Sequence, residues 1–327
     1  MSDRDFVLMV QDACIGVDTG ATVAIAVENI SFAIRAGEVF GMVGESGCGK
    51  SICALAIAGL LRAPLRVTGG QALFGGRDIF ALPERDLRAL RGGEIAMIFQ
   101  EPMTALNPLM TVGEQIAEMF ILHQGLPRSD ARRRAVAALT QVQVPSPERR
   151  ARDYPHQLSG GMRQRVMIAI ALACDPSLLI ADEPTTALDV TIQAEITDLI
   201  LDLCREKGTA VLMISHDLGH VSEICDHVAV MYAGRIVEER QGGQIFTNPK
   251  HPYARGMVAA LPVSGRRLAE GQNRLTEING MVPTIGQRPD GCHFAPRCGR
   301  ATEVCRSTVP PLERLADGGY VRCFHHD

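Results

Sequence analysis

The sequence lacks the features that mark membrane-spanning, exported or nucleic-acid-binding proteins. Its longest apolar run, Val166 to Cys174, is far shorter than the ~20 residues that a transmembrane helix needs. The N-terminal residues have neither a basic start nor an apolar core of signal-peptide length. With 33 basic and 37 acidic residues, the net charge is -4, without the basic excess of a general nucleic-acid-binding surface. We expect a soluble, unexported protein that does not bind nucleic acid.

The composition that is present, 46% hydrophobic and 21% charged over 327 residues, is that of a globular chain of about two domains. Up to about residue 260, short apolar strands alternate with amphipathic helices. This alternation predicts an α/β fold in which helices cover both faces of a largely parallel sheet. Strands are predicted at Glu38–Val43, Ile95–Phe99, Leu178–Ala181, Ala210–Ser215 and His227–Tyr232. Helices are predicted at Lys50–Leu61, Met162–Ala173, Ile192–Arg205 and Leu218–Ile224.

Three regions depart from this alternation. Residues 22–76 contain short β segments and Gly-Gly turns, which predict an antiparallel β-subdomain beside the parallel core. Prolines separate short helices, such as Ser129–Leu139, in a helical subdomain predicted at about 104–175. After residue 261 the composition shifts to proline, glycine and cysteine. We expect one domain over 1–261, a linker over 262–275 and a small cysteine-rich module over 276–327, with the phosphate-binding region independent of that module.

The first chemical motif is a complete G-x-x-x-x-G-K-S, which follows an apolar strand and opens a helix. Its glycines let backbone N–H groups close around phosphate oxygens, and the helix N-terminus adds positive potential. Lys50 would reach the β- and γ-phosphates, and the Ser51 hydroxyl would ligate Mg²⁺. The alternative is a chance glycine-rich turn before a helix. The predicted nucleotide-binding residues are Gly44, Glu45, Ser46, Gly47, Cys48, Gly49, Lys50, Ser51 and Ile52.

A second motif is the apolar strand from Leu178 that ends in two carboxylates, Asp182 and Glu183. Acidic residues often do no more than end a strand in solvent. Beside a phosphate-binding loop, however, Asp182 would hold Mg²⁺ and Glu183 would orient and polarise the attacking water.

The third motif places Ser159, a good helix N-cap, before Gly160 and Gly161. An ordinary capped helix is the alternative interpretation. Tandem glycines argue against it, because each weakens a helix by about 1 kcal/mol while leaving backbone amides accessible to an anion.

Together these motifs resemble those of the ATP-binding-cassette ATPases over nearly all of residues 1–260. The resemblance implies that two cassettes pair, with the signature segment of one facing the nucleotide held by the other. It implies that Gln100 senses Mg²⁺ and contacts a membrane partner, that Asp189 crosses the dimer interface and that His216 contacts the γ-phosphate. The implied catalytic residues are Glu183, His216 and Gln100. The implied Mg²⁺ ligands are Ser51, Gln100 and Asp182, and the signature contacts to ATP are Ser159, Gly160, Gly161 and Gln164.

The expected aromatic platform for adenine is missing. No Phe, Tyr, Trp or His lies between Phe6 and Phe32, where the resembling family places that ring. By rough register Val17 takes its place, so we expect an aliphatic contact to adenine.

The segments MIFQEPMTALNPLMTVGEQI and NPKHPYARGMVAALP, with the cysteine-rich tail, resemble the oligopeptide, dipeptide and nickel importer family. This resemblance implies an ATPase subunit bound peripherally to the cytoplasmic face of a bacterial inner membrane. Its partners would be two integral permease subunits, an external solute-binding protein acting indirectly, and a second, homologous ATPase subunit. That subunit is expected to be non-identical, with an identical copy left open. The alternative is a soluble cassette acting on nucleic acid or ribosomes, which the acidic net charge counts against.

Four cysteines crowd the end of the chain at Cys292, Cys298, Cys305 and Cys323. In a cytosolic chain such a cluster indicates a metal site before it indicates disulfides. Four thiolates can hold either zinc or an iron–sulfur cluster, and free thiols also stay open. The resembling family implies a 4Fe-4S cluster, either structural or acting as a redox sensor. The flanking His293, His325 and His326 are interpreted as surface residues.

Overall fold

A computed structural model describes residues 6–101, 105–186, 189–261 and 278–326. The predicted linker, residues 262–275, and the two residues 187–188 directly before Asp189 lie outside these ranges. The strands are β1 Phe6–Asp18, β2 Val23–Arg35, β3 Val39–Val43, β4 Leu65–Phe74, β5 Arg77–Asp78, β6 Ile95–Ile98, β7 Leu178–Asp182, β8 Ala210–Ser215, β9 His227–Tyr232, β10 Arg235–Gln241, β11 Glu313–Arg314 and β12 Tyr320–Val321.

The helices of the described residues fall into three groups along the chain. The first pair, α1 and α2, flanks β4 and β5, the next four build the helical subdomain, and the rest follow β7. They are α1 Lys50–Ile57, α2 Glu84–Leu90, α3 Val112–Gln124, α4 Arg128–Gln141, α5 Pro147–Arg150, α6 Gly160–Leu172, α7 Val190–Lys207, α8 Leu218–Ile224, α9 Gly242–Thr247, α10 Pro252–Ala260 and α11 Glu303–Ser307.

The main sheet has eight strands in the order β11-β12-β10-β9-β3-β8-β7-β6. The run from β9 to β6 is parallel, which confirms the predicted α/β core. Its strands are buried on both faces. In β3, Val39 and Val43 enter the core shared with the helical subdomain, while Phe40 and Met42 enter a second core facing the other sheet.

The second sheet is antiparallel in the order β2-β1-β4-β5, as predicted for an antiparallel subdomain. The long first strand, β1, was not among the predicted strands. Register shifts around Ala13 and Ile15 interrupt its pairing with β2, so strict alternation of apolar residues is weak there. Helix α1 lies against the core between the two sheets.

Helix ends follow local signals. Helix α3 begins with a capping box, in which the Thr111 hydroxyl accepts from the Glu114 amide and the Glu114 carboxylate accepts from the Thr111 amide. Helix α1 ends at Ile57, earlier than the predicted Leu61. Gly59, with φ 65°, takes the left-handed conformation that commonly terminates helices.

The C-terminal residues dock onto the cassette. Strand β12 extends the main sheet, since Val321 pairs with Glu238 and Tyr320 with Glu239 of β10. Phe294 packs with Tyr232 at a ring-centroid distance of 5.1 Å. None of the helices in the described ranges is long and apolar enough to span a membrane.

Candidate active site

The phosphate loop connects β3 to α1. A side chain at Gly44 would place its Cβ 2.2 Å from the Met231 carbonyl oxygen, so this position accommodates only glycine. Gly49 has φ 109°, which also favours glycine. The Lys50 ammonium is buried and donates hydrogen bonds to the carbonyl oxygens of Gly44, at 2.7 Å, and Glu45, at 3.2 Å. The loop is thus ordered with its lysine held against its own backbone.

The remaining loop residues divide by exposure. Ser46 and Gly47 are exposed, and Ile52 is half-buried. Cys48 is fully buried, and burial raises the pKa of its thiol. The loop therefore presents its tip to solvent, where phosphates can enter, while its base is packed.

A hydroxyl and a carboxylate meet at the start of α1. The Ser51 hydroxyl donates to Asp182 Oδ1 over 3.0 Å. Burial raises the pKa of the Asp182 carboxyl, the hydrogen bond from Ser51 opposes this, and the neighbouring Glu183 adds to the increase. A buried carboxylate beside a hydroxyl is an oxygen set that suits Mg²⁺, whose charge would compensate the burial of the carboxylate.

Glu183 lies at the centre of the polar groups where three adjacent strands end. Its Oε2 accepts from Gln100 Nε2 at 3.2 Å and from the Thr186 hydroxyl at 2.9 Å, and it lies 3.3 Å from His216 Nδ1. Gln100 follows β6, Glu183 follows β7 and His216 follows β8. Because carboxyl ends of neighbouring parallel strands meet at one edge of a sheet, the fold gathers these predicted residues. Glu183 itself has φ 47°, a strained backbone held by a hydrogen bond from its amide to the Ile214 carbonyl.

Thr186 was missed in the sequence analysis. It lies three residues after Glu183 in the turn Glu-Pro-Thr-Thr, close enough for its hydroxyl to return to the carboxylate. The sequence could have indicated this contact, because Thr side chains commonly form hydrogen bonds with groups a few residues away.

The signature residues divide into exposed and buried members. Ser159 caps α6, and it and Gly160 are exposed, with Gly161 half-buried. Gln164 is the buried member, and its contact with a nucleotide stays a prediction. It is 1% exposed, and its side-chain amide donates to the Pro184 carbonyl, so it ties α6 to the segment after Glu183.

Two other predicted positions are not among the residues that bond Glu183 in the described part of the chain. Asp189 is exposed at the start of α7, without a side-chain capping bond. Val17 is half-buried in β1, opposite Ala24 of β2 and Leu65 of β4. An aliphatic surface therefore stands at the position predicted for adenine, and the contact itself stays a prediction.

The four C-terminal thiols lie near one another. Burial raises the pKa values of Cys292, Cys298 and Cys323, and in each case another thiol of the cluster, such as Cys305, raises the pKa further. The Cys292 amide donates to the Cys305 carbonyl over 2.8 Å. The His325 amide donates to the Cys323 sulfur over 3.3 Å.

The geometry of this thiol cluster does not make a site for a single ion. Throughout the four described ranges, no three His, Cys, Asp or Glu side chains are grouped so that they could hold a metal ion. This finding supports neither zinc nor the predicted cluster. Cys305 and Cys323 are buried, whereas Cys292 and Cys298 are half-buried.

The interpretation of the flanking histidines as surface residues is wrong for His293. That side chain is buried, its Nδ1 lies 2.8 Å from the Ala233 carbonyl oxygen, and burial lowers its pKa to about 4. Docking of the module against the β9–β10 turn covers it. His325 and His326 are half-buried and bond Thr302 and Glu313.

Comparison with known proteins agrees with this geometry. A family model described as ABC transporter matches residues 27–186. The dimeric post-hydrolysis structure of the ATP-binding cassette MJ0796 bound to ADP and Pi superposes with a TM-score of 0.64 at 28% identity, covering 72% of this chain and 98% of that one. The chain is thus an ATP-binding-cassette ATPase.

The remaining matches define the family within that class. A model described as Oligopeptide/dipeptide transporter, C-terminal region matches residues 237–305. The oligopeptide transport ATP-binding protein OppD of Salmonella typhimurium is 52% identical over 299 residues, 91% of this chain and 88% of that protein. The dipeptide transport ATP-binding protein DppD of Escherichia coli is 50% identical over 300 residues, 92% and 90% respectively. The chain belongs to this family of oligopeptide and dipeptide ABC-transporter ATP-binding proteins.

Proposed function

We propose that this chain hydrolyses ATP to drive a bacterial importer of oligopeptides or dipeptides, bound peripherally at the cytoplasmic face of the inner membrane. The observation that carries the proposal is the set of contacts on Glu183, directly after the Asp182 that bonds the phosphate-loop serine. The names of the relatives supply the peptide cargo. They do not favour the alternative of a cassette acting on nucleic acid or ribosomes.

In this function the phosphate loop binds the ATP phosphates, and Lys50 moves its donors from backbone carbonyls to phosphate oxygens. Ser51, Asp182 and Gln100 would hold Mg²⁺, which neutralises phosphate charge when bound. Glu183 accepts a hydrogen bond from the attacking water and polarises it. The Gln100 amide and Thr186 hydroxyl hold that carboxylate in one orientation. The His216 ring, 66% exposed and next to Glu183, contacts the γ-phosphate.

Pairing of two cassettes completes the site. Ser159 and Gly160 are exposed at the N-terminus of α6, where backbone amides can bind the nucleotide of a second subunit. Asp189 would lie beside that interface. We assign the second position to a homologous, non-identical ATPase subunit. The pair then acts on two integral permease subunits, which receive solute from an external binding protein.

The four C-terminal cysteines are proposed to hold one 4Fe-4S cluster. Supporting this are the proximity of the four thiols and the backbone N–H groups that bond the sulfurs of Cys292, Cys298 and Cys323, because such bonds stabilise thiolates as iron ligands. Anaerobically purified protein is expected to contain iron and sulfide and to show visible absorption that bleaches on reduction. Stoichiometric zinc without iron or sulfide would contradict the cluster.

Peptide import is tested by uptake in cells that depend on this transporter. Glu183→Gln should abolish uptake of a labelled dipeptide or oligopeptide, whereas Glu206→Gln, an exposed carboxylate on α7, should leave it unchanged. The wild-type chain should co-purify with integral permeases in mild detergent. Co-purification with ribosomes or DNA, together with normal peptide uptake by Glu183→Gln cells, would contradict the proposed function.

A further inference from the structure

One arginine of the C-terminal region contacts the phosphate loop. Arg297 Nη1 and Nη2 donate to the two carboxylate oxygens of Glu45 over 2.7 and 3.1 Å. The Arg297 side chain is only 4% exposed, while that of Glu45 is 36% exposed. Two parallel charge-assisted bonds fix direction as well as distance, which a lysine could not do.

The guanidinium is held rigidly from its other sides. Its Nε donates to the Asn279 carbonyl at 2.9 Å, and Nη2 also donates to the Ile278 carbonyl at 3.0 Å. The group lies 5.7 Å from the ring centre of Tyr232 and 6.0 Å from that of Phe294. Arg297 is therefore a fixed point, to which the more exposed Glu45 is attached.

Glu45 links this fixed point to the phosphate-binding lysine. Its carboxylate binds Arg297, its amide donates to the Tyr253 hydroxyl over 2.9 Å, and its carbonyl accepts from Lys50 Nζ over 3.2 Å. Every polar group of Glu45 thus has a partner. A shift of Glu45 would displace the carbonyl on which the lysine ammonium rests and the loop amides that follow it.

We infer that Arg297 is a positioning residue for ATP binding, because it holds Glu45, and through Glu45 the phosphate loop, in the conformation that receives phosphates. Arg297 directly precedes Cys298, so its position depends on how well the cysteine module is ordered. The structural ordering of that module therefore controls the affinity of the cassette for ATP. This contact joins the two regions that the sequence analysis treated as independent. The inference rests on the ATP-binding role alone and not on the peptide cargo or on the metal.

The test compares substitutions of matched charge in the full-length protein. Arg297→Met should weaken MgATP binding about tenfold, the loss expected when an interaction worth about 1.4 kcal/mol is removed. Arg306→Met removes the same charge from an exposed site of the module and should bind MgATP as the wild type does. Arg297→Lys, which keeps the charge but not the paired geometry, should give an intermediate affinity.

A double-mutant cycle with Glu45→Gln separates positioning from general destabilisation. If Arg297 acts through Glu45, the double variant should bind MgATP no more weakly than Arg297→Met alone. In the assembled transporter, Arg297→Met should raise the KM for ATP with kcat within about twofold. Should Arg297→Met fail to fold, Glu45→Gln reports the same link from its more exposed side. The inference would be overturned if Arg297→Met bound MgATP with wild-type affinity, or if Glu45→Gln did so where Arg297→Met does not fold. Additive effects of the two substitutions on MgATP affinity would also overturn it.

Discussion

The edge of the parallel sheet around Glu183 and the turns around the four C-terminal cysteines both gather reactive groups, but they do so differently. Glu183 follows a strand that is wholly buried, between neighbours that end at the same level. The cysteines lie on short turns and an α11 of five residues. The first arrangement is fixed by the main core, whereas the second depends on docking and on its own polar contacts. Substitutions at the sheet edge should therefore change ATP hydrolysis. Substitutions of the cysteines and the residues packed around them should change how well the module is ordered.

The largest expected effect is at the sheet edge. Glu183→Gln should lower ATP turnover by roughly 10²–10⁴-fold, because it removes the carboxylate that we propose polarises the attacking water. MgATP binding should persist, since the phosphate loop is unaltered. Steady-state hydrolysis and nucleotide binding in the assembled transporter check this, with Glu206→Gln as the exposed control. Near wild-type turnover would show that another group is the catalytic carboxylate.

In the module, Cys305→Ser should cost several kcal/mol of local stability if the proposed iron–sulfur cluster is present, because a hydroxyl would ligate its iron less tightly than the buried thiol. Hydrogen exchange should quicken across residues 292–326 while β7 and β8 stay protected. Cys174→Ser, at a half-buried thiol of the helical subdomain, should leave the module unchanged. Equal acceleration in β7 would mean that module and sheet unfold together and would remove the distinction between them.

Acidification should also weaken the packing of the module on the cassette. Burial lowers the pKa of His293 from 6.5 to about 4 and that of His251, which packs against Phe294, to about 3. Each histidine binds its proton more readily when exposed. The stability that the two neutral histidines contribute to the folded state is therefore complete above pH 6.5 and is lost as the pH falls towards these pKa values. His293 alone contributes up to about 3 kcal/mol to the free energy of unfolding.

Because the chain has no tryptophan, tryptophan fluorescence cannot follow this unfolding, and hydrogen exchange as a function of pH is the appropriate measurement. His293→Gln should reduce the acid sensitivity of residues 292–326, and the exposed His156→Gln should not. An identical acid midpoint in wild type and His293→Gln would contradict this assignment.

The smallest expected effect lies at Val17, the position predicted for the adenine contact. Val17→Tyr should tighten ATP binding by roughly 0.5–1.5 kcal/mol, the value of aromatic stacking beyond area burial. The comparison is made by titrating ATP into each protein, with Val17→Leu as a control for size. Unchanged or weakened binding of Val17→Tyr would place adenine elsewhere.

The predictable part of the site is the part that parallel strands dictate. Asp182 ends a short apolar strand, and His216 directly follows another. Their position at one edge of the sheet therefore follows from the order of the strands. Helix Leu218–Ile224 and strand His227–Tyr232 have the predicted bounds at both ends, because caps and turns mark them locally. The burial of Gln164 beside Pro184 could not be predicted, because it depends on how α6 packs.

The contacts of the module could not be predicted in the same way. Arg297 and Glu45 are 252 residues apart, and no periodic pattern connects an irregular turn to a loop at that separation. His293 looked exposed because it lies in a proline- and glycine-rich stretch, whereas docking on the Ala233 carbonyl buries it. Side chains on irregular segments take their surroundings from long-range packing, which the local sequence does not encode.

The most direct test is an ATP titration of steady-state hydrolysis by the assembled transporter, carried out for Glu183→Gln and Arg297→Met beside the wild type. We expect opposite defects: Glu183→Gln loses kcat, while Arg297→Met keeps kcat at saturating ATP and shows a KM raised about tenfold. A normal kcat in Glu183→Gln, or a loss of kcat without a change of KM in Arg297→Met, would contradict this expectation.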